Sequence, residues 1–160
     1  MELINNNIIN IEIKSGVSII IPINNKVNII TGDSATGKTK MVSYLDTILE
    51  DTSEVTKKSV DLSNIIICKD EKSVKEYIKQ DVKNKIFIID RFDTMSDDRE
   101  IIDFMDESSN IFIVCAHKSF EQCGYSTDSM LGLKHDGMSY EAYKLFETPA
   151  DYMRNRSVLI

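Results

Sequence analysis

The stretch Gly32-Asp33-Ser34-Ala35-Thr36-Gly37-Lys38-Thr39 has the spacing G-x-x-x-x-G-K-T, and no other segment constrains this chain as much. Ahead of it, Lys26 to Thr31 (KVNIIT) is short, apolar and rich in β-branched residues, which predicts a buried strand. Behind it, Lys38 to Glu50 carries Met41, Leu45 and Ile48 at helical spacing, with Val42 and Leu49 alongside. A glycine-bounded turn between a strand and a helix start can curl until successive N–H groups face one concavity, a nest for anionic oxygens. The helix adds unpaired amides and the positive end of its dipole. Gly32, Asp33, Ser34, Ala35, Thr36, Gly37, Lys38, Thr39 and Lys40 are therefore the expected phosphate-binding residues. Lys38 is expected to bridge the β- and γ-phosphates as a point charge, and the Thr39 hydroxyl to ligate Mg²⁺.

The rest of the chain alternates strand and helix patterns. Ile9, Ile11 and Ile13 alternate with polar residues, Lys14-Ser15-Gly16 turns, and Val17 to Ile21 runs on, which predicts an antiparallel hairpin closed by Pro22. Residues 51–61 are polar and read as a loop. Leu62 to Cys68 predicts a strand, Glu71 to Val82 a helix, and Lys85 to Asp90 (KIFIID) a strand that ends on a carboxylate. Ser96 can cap the next helix, which buries Ile101, Phe104 and Met105. Asn110 to Ala116 is a further apolar strand, followed at once by His117. Met130 to Phe146 predicts a second hairpin, turning at His135-Asp136-Gly137.

Composition narrows the function classes. A chain of 160 residues is expected to be one domain, residues 1–160, with room for a real core. A net charge of −7, with no basic run, gives no general attraction to nucleic acid or anionic membrane. The apolar runs are too short for a membrane span. Cys68, Cys115 and Cys123 are odd in number and lack C-x-x-C spacing, which suits a reducing cytoplasm.

A phosphate loop that holds Mg²⁺ needs a second acid, and Ile86-Phe87-Ile88-Ile89-Asp90 supplies one at a strand end, in the form of a Walker B motif. One extra strand–helix unit separates the two motifs. In that order of elements the chain resembles the RecA-like and ABC-like P-loop NTPases, and in particular a minimal ABC/SMC-type ATPase core. The resemblance implies an α/β P-loop NTPase three-layer fold with a mostly parallel sheet in the order 5-1-4-3-2, plus N-terminal and C-terminal β-hairpins. It implies ATP, or another nucleoside triphosphate, and Mg²⁺ as ligands, with Thr39 and Asp90 as metal ligands. It also places His117 where ABC ATPases carry a switch histidine, making Lys38, Asp90 and His117 the expected catalytic set.

Three departures weaken the hydrolytic expectation. Arg91 stands where the family has its catalytic Glu, so the general base is missing from its place, with Asp93 or His117 as substitutes. The LSGGQ signature and its helical subdomain are absent, and no aromatic residue precedes Tyr44 to stack on adenine. The first reading is an ATP·Mg-binding protein acting as a weak ATPase or a nucleotide-dependent switch, alone, as a homodimer or in a larger assembly. The second is a small-molecule kinase, disfavoured because Arg91, Arg99, Arg154 and Arg156 form no arginine-rich lid. The third is a non-catalytic interaction module with a structural nucleotide.

Overall fold

Neighbouring residues of a strand point to opposite faces, and in the runs IFII (86–89) and IFIVC (111–115) both faces are apolar. The computed structural model describes residues 7–32, 37–117, 125 and 127–146. In chain order its elements are β1 (Ile8–Ile13), β2 (Ser18–Pro22), β3 (Val27–Ile30), α1 (Lys38–Glu50), β4 (Val55–Lys58), β5 (Ile65–Cys68), α2 (Glu71–Lys79), β6 (Ile86–Ile89), α3 (Arg99–Glu107), β7 (Ile111–Cys115), β8 (Met130–Asp136) and β9 (Ser139–Lys144). Ile86 and Ile88 of β6 enter a core shared with Met41, Val42, Leu45 and Ile48 of α1. Phe87 and Ile89 enter a second core, with Val74 of α2 and Ile101, Ile102 and Met105 of α3. The second core is centred on aromatics: Phe87 stacks on Phe112 at 5.3 Å between centroids, and Phe104 meets both edge-on.

The expected mostly parallel, three-layer P-loop fold is corrected by the sheet itself. Its nine strands run in the order β4-β1-β2-β9-β8-β3-β7-β6-β5, and the sheet is mixed. β1 pairs antiparallel with β2 and with β4, and β8 with β9, whereas β2–β9, β3–β8, β3–β7, β6–β7 and β5–β6 are parallel. Strands dominate the described residues, with three short helices beside them. The physical reason is edge satisfaction. Each hairpin has a free backbone edge, and pairing Ser18, Ile19 and Ile20 with Ser139, Tyr140 and Glu141 joins the two hairpins into one sheet.

Smaller differences have local causes. The polar segment expected as loop contains β4, an edge strand held by β1, where exposed Lys57 and Lys58 suit an unpaired outer edge. α2 stops at Lys79 rather than Val82, because Asp81 and Asn84 take left-handed backbone angles and reverse the chain. α3 is capped by Asp98 and not by Ser96. Burial of Phe92 and Met95 draws residues 92–95 into a tight turn, and Asp98 Oδ1 then accepts from Ile101 N–H at 3.1 Å. The C-terminal hairpin turns on Gly137-Met138, flanked by the pair Asp136–Ser139, with Gly137 at φ +60°.

Asp98 also joins the two helices of the second core, since Lys75 of α2 reaches its Oδ2 at 2.7 Å. That ammonium first, then a side-chain hydrogen bond with Glu71 and, less, the Ile101 N–H hold the Asp98 carboxyl down to about 2 from the ordinary 3.8. A carboxyl whose pKa is lower in the folded chain contributes stability above about pH 4, and that contribution fades as pH falls towards about 2. Asp98→Asn keeps a cap acceptor without the charge, so urea denaturation at about pH 5 and about pH 2.5 is expected to show a smaller acid loss than in wild type. An equal loss in both proteins would remove Asp98 from the account.

Candidate functional site

Parallel register aligns the ends of the central strands. Ile30 of β3 stands opposite Cys115 of β7 and Leu131 of β8, while Ile89 of β6 stands opposite Val114 and Cys68. The ladders continue one residue past these strands: Thr31 N–H donates to Leu131 O, Ala116 N–H to Ile30 O, and Asp90 N–H to Cys68 O. The C-terminal ends of β3, β6 and β7 therefore lie together along one edge of the sheet.

At that edge lies a cleft of about 370 Å³, lined by Lys38, Thr39, Asp90, Arg91, Asp93, Thr94, Cys115, Ala116 and His117. Strand period explains the carboxylate. Asp90 follows Ile86 and Ile88 on the face that packs against α1, so it shares that side of the sheet with Lys38 and Thr39.

Gly37 precedes α1 with φ +92°, a left-handed turn that glycine takes without steric cost. It has no side chain to cap the helix, and the first turn carries no acid, whereas Asp70 and Asp98 cap α2 and α3. The start of α1 therefore carries neither a side-chain cap nor an acid, and its dipole end favours an anion. Lys38 is buried, and its Nζ donates to Gly32 O at 2.6 Å, spanning the loop from end to beginning. Thr39 is exposed at the helix start and lines the cleft. Thr31, at the loop entry, is 3% exposed, and its hydroxyl has no hydrogen-bond partner among the described residues.

The opposite wall is the turn after β6. Asp90 is buried, and its Oδ1 accepts from Arg91 N–H at 3.0 Å. Asp93 Oδ2 accepts from His117 N–H at 2.9 Å, tying this turn to the end of β7. The other oxygen, Oδ1, is shielded from solvent without a partner among the described residues. Such an acceptor is costly unless a donor reaches it.

Of the residues expected from sequence, Lys38, Thr39, Asp90 and His117 line one cleft, and Gly32 and Gly37 flank the loop. Lys40 is exposed on α1 and is not part of the lining. Asp33, Ser34, Ala35 and Thr36 lie outside the described residues, as do Cys123, Arg154 and Arg156. Sequence reasoning did not assign Thr94, Cys115 or Ala116 to the site. Their only signal was proximity to a strand end. The C-terminal hairpin also reaches the loop. His135 stacks on Tyr140 at 4.2 Å between centroids, and a Cβ on Gly37 would lie 3.2 Å from His135 Nδ1.

Comparison with protein-family models finds none that matches the chain, and no curated protein matches it.

Cys115 lines the cleft but is chemically quiet. Burial pushes its thiol up to about 12; the nearby Asp90 charge raises it further and Lys38 opposes it. Burial does the same to Cys68. Iodoacetamide at about pH 8 is therefore expected to leave both thiols unlabelled in the folded protein and to label both after denaturation, as read by peptide mass mapping. Native labelling of Cys115 would contradict its burial.

Proposed function

We propose that this chain binds a nucleoside triphosphate, ATP being the simplest case, with Mg²⁺ in the cleft between α1 and the end of β6, and acts as a nucleotide-dependent switch with slow hydrolysis. The observation that supports it is the convergence of Lys38 and Thr39 at a helix start, Asp90 after β6 and His117 after β7 on one cavity. Its volume of about 370 Å³ falls in the range of small-molecule sites. The donor set suits a hard cation, with one hydroxyl and one carboxylate leaving room for phosphate oxygens. Bound there, Mg²⁺ would supply charge neutralisation between phosphate oxygens.

In this reading the α1 amides hold phosphate oxygens, Lys38 offsets their charge, and Thr39 with Asp90 holds the metal. Arg91 occupies the position next to Asp90 and is no base, which keeps hydrolysis slow. Asp93 is the other carboxylate lining the cleft, and it also bonds the His117 backbone, so a change at the terminal phosphate reaches two strand ends at once. No helix among the described residues is long and apolar enough to cross a membrane. Cys68 and Cys115 are free thiols, which fits the reducing cytoplasm suggested by cysteine usage.

Saturating ATP·Mg²⁺, at about 100 times Kd, is expected to stabilise the wild type by about 2.7 kcal/mol in thermal unfolding. Lys38→Ala is expected to lose that shift, measured against its own baseline without ligand. No shift in wild type, or the same shift in the variant, removes the binding reading. Phosphate release from ATP alone is expected below about 1 s⁻¹, the low end of ordinary enzyme turnover. Asp93→Asn keeps an acceptor for His117 N–H and should lower the release further. Unchanged release would show that Asp93 is not the base.

A further inference from the structure

Arg91 holds a backbone conformation that its side chain does not favour. Its φ of 54° and ψ of 42° lie in the left-handed region. The other non-glycine residues with positive φ among the described residues are Asn7, Asp81 and Asn84, whose short polar side chains tolerate that region. Among the described residues Arg91 is the one long side chain placed there. Its surroundings hold the turn firmly. Asp90 Oδ1 takes its N–H, its carbonyl accepts from Thr94 N–H at 3.1 Å and from the Thr94 hydroxyl at 2.8 Å, and Phe92 beside it is fully buried.

The consequence is positional. The turn brings Arg91 onto the wall of the cleft that Lys38, Thr39 and Asp90 also line. Two carboxylates share this wall, yet the guanidinium forms no ion pair or hydrogen bond among the described residues. Asp90 Oδ1 is engaged by a backbone N–H, and so is Asp93 Oδ2. An arginine stays charged at any working pH and presents a planar fork of donors that matches two oxygens of one phosphate. A strained residue kept at a cleft by its neighbours is where a functional constraint is expected.

We infer that Arg91 reads the terminal phosphate of the bound nucleotide and makes the site select a triphosphate over a diphosphate. The inference rests on the nucleotide-binding reading of the cleft and adds to it the group that distinguishes the two ligand states. Lys38 reaches the cleft from the start of α1, and Arg91 reaches it from the turn after β6. Loss of the terminal phosphate removes the anion that Arg91 pairs with. Because Arg91 shares its turn with Asp90 and Thr94, that loss is felt in the segment leading to Asp93 and His117.

Calorimetric titration of the full chain with Mg²⁺ and either ADP or a non-hydrolysable ATP analogue tests this. Wild type is expected to bind the triphosphate more tightly. Arg91→Gly is expected to weaken triphosphate binding about tenfold or more, the scale of a charge-assisted hydrogen bond, with the affinity for ADP changed by about twofold at most. Glycine suits the left-handed turn, so this variant should melt at or above the wild-type temperature, and its loss cannot be put down to unfolding. Arg91→Gln, which keeps length without charge, should lose the preference as well. Equal weakening of both nucleotides, or no change in either variant, overturns the role of Arg91. If ADP binding persists and still depends on Lys38, only this inference fails. If wild type binds neither nucleotide, the binding reading falls with it.

Discussion

The structure depends on the parallel register of β3 with β7 and of β7 with β6. Val27, Asn28, Ile29 and Ile30 are all buried, so β3 has no solvent face and its pairing is specified on both sides. A slip of one residue would turn the Ile30 face towards α2 and α3 and the Ile29 face towards α1. The same slip in β6 against β7 would carry Asp90 off the α1 side of the sheet. The alignment that satisfies the backbone therefore sets which side chains meet in the cleft.

That dependence separates two kinds of residue at the site. Lys38 and Thr39 belong to a local motif, and their placement follows from a glycine turn feeding a helix. Asp90, Arg91, Asp93 and His117 are brought to the cleft by strand ends far apart in the chain. The Asp93–His117 hydrogen bond links two of those ends, and the left-handed turn at Arg91 lets the chain leave β6 without losing the cleft. A site built on strand ends is rigid in its floor and adjustable in its loops.

Much of the architecture was legible because the signals were local. Period-two alternation located β1, continuous apolar runs located the buried strands, and apolar positions at helical spacing located the three helices. What failed was non-local. Residues 55–58 look like loop in isolation and become a strand only because β1 offers an edge. The hairpins read as additions to a mostly parallel sheet. They are parts of one mixed sheet because β2 and β9, at opposite ends of the described chain, pair in parallel. Asp98 takes the cap from Ser96 because burial of Phe92 and Met95 postpones the helix.

By itself the sequence determined the chemistry available at the loop, since glycine spacing, a lysine and a hydroxyl before a helix are local facts of covalent order. It also determined that a carboxylate and a histidine close two apolar strands. Only the tertiary structure decided that these groups share a cavity, that Arg91 stands among them in a left-handed turn, and that the sheet is mixed. The physical reason is that hydrogen-bond pairing between strands is chosen by the competition of all edges for partners, which no local stretch encodes.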